Sequence, residues 1–565
     1  MRQWIVWAAL KLLALGTFVW LTNDDFQGRI ELLVSQGRLI SAVIFVLFWV
    51  FCLACLALAA FQPRARWRVF WALVIGGTSF VGYSYMLISG SELTIFDVAS
   101  LWAARADSGR ALSNYSWQIV AGFGAAMFGI AAIAARPPRL GPLAEKVIGA
   151  LRLTPALPVL AILGIVFLKS GGGTHALPQQ FAPFAEWLAV TAKSITSEIP
   201  VRKTVTIAVD RKPPTKHIVL LVGESVRPDF ISLVPGNRLT PYLASRRDMI
   251  VDFGPAVSGN NCSHYANAIL RLGAGANDVI NTVNASPTIW QYAHKAGFRT
   301  VYINAAASQI QNGGSLQNFM TTLERGQIDD VIKLENLPSP QLDLQLAAKI
   351  AEILKRPEPQ FIYANKNGAH FPYDESYPAS ERYFTPVMST PKGNLRIRNT
   401  NSYANAVRWA VDGFFSALLS RTDLADTALI YTSDHGQNLD PARISHCNTV
   451  NPDPREGLVP MMVLTGDERL RARFATNVAD NFGRVSHFAL FPTVINLFGY
   501  PNEALGAAYG NSLFDRVTTP LRFTSGDIFG MFSDKLAWTP LDTSRRYREL
   551  SEPVRAANGS DPSDR

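Results

Sequence analysis

The distribution of apolar residues changes character along the chain. In the first third, five apolar stretches at about 3–22, 39–61, 68–90, 117–135 and 153–169 each approach the length of a bilayer-spanning helix, for which about 20 residues are needed. They predict five transmembrane helices. Beyond about residue 213 the apolar runs shorten to strand length: 217–222, 299–304, 360–364, 428–432 and 459–464. Helical segments are expected near 288–296, 341–355 and 401–421. In Ile218, Val219, Leu220, Leu221 and Val222 apolar and polar residues do not alternate, the signature of a strand covered on both faces. The pattern predicts an N-terminal α-helical membrane domain followed by an α/β domain built on a doubly wound sheet.

Finer divisions follow. Residues 1–170 form the membrane domain, 171–212 a linker with a hinge at Gly171, Gly172 and Gly173 and an interfacial helix around 182–197, 213–545 the outer domain, and 546–565 a polar, disordered tail. Gly510–Phe514 and Arg522–Phe529 read as terminal strands or a hairpin.

Charge sets the orientation. Arg64, Arg66 and Arg68 flank the second connection and Arg136, Arg139 and Lys146 the fourth, whereas Asp24, Asp25 and Glu31 lie in the first. The second and fourth loops are therefore cytoplasmic, the N-terminus is inside, and five spans place everything after residue 170 outside. The third connection, about 91–116, is external and carries an amphipathic run from Leu93 to Ala104. Lys11 interrupts the first span and is expected to snorkel to the cytoplasmic face. The formal net charge of +9 is the arginine bias of these loops rather than a nucleic-acid footprint, since no basic-aromatic stripe or nucleic-acid module occurs. Four cysteines, Cys52, Cys55, Cys262 and Cys447, make no disulfide framework, and Cys52 and Cys55 lie in an apolar span, so a metal must rest on histidines and carboxylates.

Candidate chemistry collects where strands end. Ligands of open α/β sheets bind beyond the carboxyl ends of the strands. Glu224 follows the 217–222 run, His370 follows 360–364, and Asp434 and His435 follow 428–432; His446 comes eleven residues later. Ser263 reads as the N-cap of a helix running to Leu272 and stopped by Gly273, a place where free N–H groups favour a phosphate. Glu224, Asp434 and His435 suit a zinc ion, with the Ser263 hydroxyl completing a tetrahedral shell. Zinc would activate Ser263 for phosphoryl or sulfuryl transfer, and His370 and His446 either hold a second zinc or protonate the leaving alkoxide.

Gly223-Glu224-Ser225-x-Arg227, the Ser258–Ser263 stretch, Gly368-Ala369-His370 with Tyr373 and Tyr377-Pro378, Tyr403-Ala404-Asn405, Ser433-Asp434-His435-Gly436, His446 and Val459-Pro460 together resemble the sulfatase-like phosphoethanolamine transferases, an integral-membrane family that includes lipid A modifying enzymes. The resemblance implies an alkaline-phosphatase/sulfatase-like outer domain in the periplasm of a multi-pass bacterial inner-membrane protein. It implies that Glu224, Asp434 and His435 bind zinc, that Ser263 is the nucleophile, and that His370 and His446 lie at the substrate phosphate or a second zinc. By analogy, Ser263 takes phosphoethanolamine from phosphatidylethanolamine and passes it to a hydroxyl of an envelope glycolipid or polysaccharide. Asn365 stands where relatives carry a further histidine, which leaves the second metal and the acceptor open. Cys262 and Cys447 each adjoin a candidate residue, and spacing alone does not pair them.

Three other readings compete. A sulfatase needs Pro two residues after the nucleophile and Arg four after; Cys262 is followed there by His264 and Ala266, Ser263 by Tyr265 and Asn267. A phosphoglycerol transferase using phosphatidylglycerol shares the metal site and topology. A membrane-tethered binding protein without activity is disfavoured by the joint presence of Glu224, Ser263, Asp434 and His435.

Overall fold

Short parallel strands, each apolar on both faces, can be satisfied only inside a layered domain, and helices of membrane length only in lipid; the chain contains both. The computed structural model describes residues 2–35, 39–89, 92–93, 95, 98, 115–138, 141–168, 174, 176–196, 201–306, 320, 322–440, 443, 445–449, 451–531 and 535–544. The chain divides into two compact units, Met1–Glu198 with Gly530–Lys535, and Ile199–Phe529 with Leu536–Arg565. The glycine hinge, most of the 91–116 connection and the tail after 545 lie outside the described residues.

In the first unit four helices, Arg2–Thr22, Leu39–Ala60, Ala65–Ser89 and Ser116–Ala134, are long and apolar enough to cross a membrane. The fifth expected span is a bent pair, Pro142–Ala150 and Thr154–Leu168, with 43° between its halves. Pro155 sits at the start of the second half, where its missing N–H and fixed φ begin a new helix instead of continuing the old one. Small residues let spans approach: a Cβ on Gly122 would meet Ser84 Oγ at 2.0 Å. Lys11 reaches the C-terminal end of the Ser116–Ala134 helix, next to the Arg136 loop. It is buried and its ammonium donates to the carbonyls of Ala132, Ile133 and Ala135, while Arg68 donates to Ala134 O. Helix-end carbonyls have no water to turn to in hydrocarbon, so two cations satisfy them. The amphipathic helix expected near 182–197 is Ala182–Thr196.

The second unit contains β1 (His217–Gly223), β2 (Ile250–Val257), β3 (Arg299–Asn304), β4 (Asp330–Ile332), β5 (Gln360–Asn365), β6 (Thr427–Ser433), β7 (Leu458–Leu464), β8 (Arg522–Ser525) and β9 (Ala537–Pro540). The first seven form one sheet in the order β2-β7-β6-β1-β5-β3-β4. β1 pairs parallel with β5 and β6, and β3 parallel with β4 and β5. β7 is antiparallel to both β6 and β2, so the sheet is mixed, with β2 running in the direction of β6. Helices cover both faces. Val219, Leu221, Ile362 and Leu429 point into one core; Ile218, Leu220, Phe361 and Ile430 point into the other. Burial on both faces explains the lack of alternation in β1.

β2 escaped the hydrophobic pattern because Asp252, Gly254 and Pro255 interrupt it; its register shifts between Asp252 and Pro255. The tail differs too. Only Arg522–Ser525 of the two expected terminal strands is one, and its antiparallel partner is β9; Gly510–Phe514 is irregular. The helix expected at 401–421 begins at Leu395 and passes through a π turn at Arg408–Gly413.

Trp290 anchors the second core, fully buried against Tyr302, Phe361 and Tyr363. Trp290→Ala should destabilise the protein by about 3–5 kcal/mol through the cavity left behind. Chemical denaturation of the full chain in detergent checks this.

Candidate active site

Four strands of one direction bring chemistry to one edge. Glu224 directly follows β1 and Asp434 and His435 follow β6; His370 comes five residues after β5 and Ser263 six after β2. Ser225 leaves β1 in the left-handed region, φ 61°, which costs a non-glycine residue and must be held by its neighbours. The buried Tyr403 does this: its hydroxyl donates to Ser225 O at 2.6 Å and accepts from Arg227 N at 2.9 Å. Turned this way, Ser225 N donates to Asp434 Oδ1 at 3.0 Å and its hydroxyl to Glu224 Oε1 at 2.6 Å.

Asp434 shows what the edge is built to hold. Its Oδ1 accepts from the N–H groups of Ser225 and His435, whereas Oδ2 is buried without a hydrogen-bond partner, 3.6 Å from His435 Nε2. Burial and the Glu224 charge push its carboxyl up to about 7. A buried oxygen left bare beside a second carboxylate fits a cation. His435 Nδ1 lies 2.6 Å from Gly436 O; a carbonyl only accepts, so the proton is on Nδ1 and the Nε2 lone pair faces the site. Nε2 lies 3.4 Å from Glu224 Oε1.

Ser263 stands at the middle of this group. It opens the helix Ser263–Arg271 as the first helical residue; the N-cap is Cys262, not Ser263 as the sequence pattern had it. Its Oγ is 3.1 Å from Glu224 Oε2 and 3.0 Å from His435 Nε2. Two acceptors on one hydroxyl are a geometry for removing its proton. His446 is also here: ligand atoms of Glu224, His435 and His446 lie within 4.8 Å of one another, and the His435 and His446 rings stack at 4.2 Å. Burial and the neighbouring His435, His370 and His264 hold His446 well below the ordinary imidazole range. The rings of His370 and His446 are 6.5 Å apart. The six candidate residues thus converge, and the donor set of two carboxylates and imidazoles suits zinc.

The His370 loop is held from behind. The buried Asp343 carboxylate accepts from Asn367 N at 2.7 Å and Gly368 N at 3.1 Å, and the buried Lys366 ammonium lies 3.9 Å from it. Gly368 has φ +62°, and a Cβ there would meet Glu224 O at 2.4 Å. Only glycine lets this loop lie against the β1 end.

Cys262 and Cys447 form a disulfide. Cys262 is therefore no nucleophile, and the bridge joins the chain beside Ser263 to the chain beside His446. Three residues near the site carried no signal in the sequence. His264 follows Ser263, and burial and His435 bring it to about 3. His487 lies behind Asp434, 3.1 Å from Thr432 Oγ1 and 3.5 Å from Ser258 Oγ. Glu456 is buried between loops. Each is an isolated polar residue distant in sequence from the others, and no motif marks it.

The raised Asp434 carboxyl makes a pH prediction for metal-stripped protein. A carboxyl whose folded value, about 7, exceeds its unfolded value of about 3.9 contributes stability that is complete below pH ~4 and lost as pH rises to ~7. Buried histidines pull the opposite way, so the quantity is a difference. Between pH ~4 and ~7 the melting temperature of chelator-treated wild type should fall relative to that of Asp434→Asn, and zinc should reverse the fall; scanning fluorimetry across pH measures both.

Comparisons with known proteins match this layout. The sulfatase family model matches residues 216–500, half of the chain. Phosphoethanolamine transferase EptA of Escherichia coli, from O157:H7 and from K12, is 28% identical over 153 residues, covering 25% of this chain. The aligned part spans 28% of the length of those relatives. The integral membrane lipooligosaccharide phosphoethanolamine transferase A of Neisseria meningitidis superposes with a TM-score of 0.61 at 19% identity, over 87% of this chain and 95% of that one. That likeness shows a common fold across membrane and outer regions. With the family match running from just before β1 to beyond β7, over the strand ends that carry Glu224, His370 and Asp434, this membrane protein belongs to the sulfatase family.

Proposed function

We propose that the protein transfers phosphoethanolamine from phosphatidylethanolamine to a hydroxyl of an envelope glycolipid or glycan, through a covalent intermediate on Ser263. The observation that carries the reading is the placement of Ser263 Oγ within 3.1 Å of both Glu224 and His435 at the start of a helix. Relatives named phosphoethanolamine transferase, from E. coli and N. meningitidis, share its sequence in part and its fold, which supports the headgroup assignment. The membrane spans suit a lipid donor, and the arginine-rich loops support a periplasmic position for the outer domain.

Glu224, Asp434 and His435 would hold one zinc ion. Bound there, zinc would lower the pKa of the Ser263 hydroxyl and offset charge on the phosphoryl group. Ser263 Oγ, its proton drawn off by the acceptors facing it, forms a bond to phosphorus as the bond to the diacylglycerol oxygen breaks. The N–H groups of the Ser263–Arg271 helix face the phosphate. The proton drawn from Ser263 passes to the leaving diacylglycerol alkoxide, with His370 or His446 as the relay. His370 Nδ1 lies 2.5 Å from Phe371 O, which keeps a proton on Nδ1, so the exchange runs through Nε2. In the second half an acceptor hydroxyl attacks the phosphoserine and Ser263 is regenerated.

Ser263→Ala should abolish the adduct trapped with labelled phosphatidylethanolamine and lower transfer by about 10³-fold or more, with zinc retained. Asp434→Ala should lose the zinc. Labelled-adduct mass spectrometry and metal analysis of the purified protein read the outcomes: an adduct surviving in Ser263→Ala, or equal zinc in Asp434→Ala and wild type, overturns the assignment.

A further inference from the structure

The loops that carry Ser263 and His446 are 183 positions apart in sequence yet are joined by groups that the chemistry above leaves unused. The Cys262–Cys447 disulfide is the covalent link. Beside it, Cys447 N donates to Asn261 O at 3.0 Å, and Asn261 Nδ2 donates to Asn448 O at 2.8 Å. Both loops then meet one carboxylate. Glu456, 0% exposed, accepts from Asn261 Nδ2 at 2.7 Å and Asn448 N at 3.3 Å on Oε2, and from Asn448 Nδ2 at 2.5 Å and Asp453 N at 3.1 Å on Oε1. Its backbone O accepts from Gly436 N at 2.8 Å, next to His435. Gly436 is glycine for this reason: a Cβ would meet Arg455 O at 2.1 Å.

We propose that Glu456 and the Cys262–Cys447 disulfide are a two-part clamp that positions His446 against Ser263 and His435, and that it acts on the reaction through His446. The need for it follows from how each residue arrives. Ser263 and His435 are delivered by strand ends, which hold them rigidly. His446 is not. It sits midway between β6 and β7, ten residues or more from either, on a loop that no strand directs. A side chain so placed must be fixed by its own surroundings if it is to meet a reacting atom within a fraction of an ångström. Gln437 contributes from one side, with Oε1 3.2 Å from His446 Nδ1. The clamp holds the backbone on the other side, at both 447 and 448. A buried carboxyl group with four donors is a rigid node, because giving up any of them leaves a desolvated polar atom unpaired.

The bland alternative is that Glu456 closes its own capping box with Asp453 and the disulfide only stabilises the fold. The two are separated by a double-mutant cycle and by a readout that needs no substrate. Because the proposal rests on the transferase reading, both are run on the full chain in detergent. Glu456→Gln and Cys262→Ala/Cys447→Ala should each lower kcat for phosphoethanolamine transfer by about 10–100-fold, with KM and zinc content little changed. In a His446→Ala background the same changes should cost nothing further. Diethyl pyrocarbonate should modify His446 several-fold faster in the clamp variants than in wild type, with the exposed His294 as internal control, read by peptide mass spectrometry. If the cysteine variant does not fold, Glu456→Gln alone carries the test. Additive losses in the His446→Ala background, or an unchanged modification rate at His446, overturn the clamp. A wild type without transferase activity, but with faster His446 modification in the variants, overturns the transferase reading and leaves the clamp standing.

Discussion

Two carboxylates pressed together at the end of a buried sheet are the constraint on which the outer unit depends. Asp434 is buried, one oxygen is saturated by backbone N–H groups, and the other is bare beside Glu224 and His435. Left alone, such a pair opposes folding, since burial and like charge both disfavour ionisation. The rest of the site follows from the cation that would relieve it. The His435 lone pair faces the carboxylates because its Nδ1 proton is committed to the Gly436 carbonyl. The serine hydroxyl enters where these groups meet, at the positive end of a helix, which is also where an anionic phosphate gains most.

Holding that arrangement requires rigidity of two kinds. Parallel pairing of β1 with β5 and β6 sets three strand ends side by side, so Glu224, His370 and Asp434 are placed by the sheet ladder itself. The second kind is local. Ser225 in a left-handed turn under the Tyr403 hydroxyl, Gly368 against the Glu224 backbone, and the buried Asp343 carboxylate beneath the 365–370 loop each hold one loop to its strand. Each removes a freedom that would let a ligand atom drift.

The membrane unit answers a different solvent. Where the outer unit uses donors and acceptors to place chemistry, the first unit uses them to remove exposed carbonyls: Lys11 and Arg68 close the end of the Ser116–Ala134 helix.

What the chain determined by itself was whatever depends on local periodicity. Length and hydropathy mark the spans but not the bend at Pro155, and unbroken apolar runs mark β1, β3, β5, β6 and β7. Because strand ends in such sheets collect ligands, Glu224, His370, Asp434 and His435 are legible in the sequence as one edge. Tertiary structure alone decided the rest. β2, broken by Asp252, Gly254 and Pro255, exists because it pairs with β7, a non-local partner that no window on the sequence contains. The direction of β7, the partner of β8 and the bridge between Cys262 and Cys447 were settled the same way. So were His264, His487 and Glu456. Their environments are made by segments far away in sequence, and proximity of that kind is a property of packing.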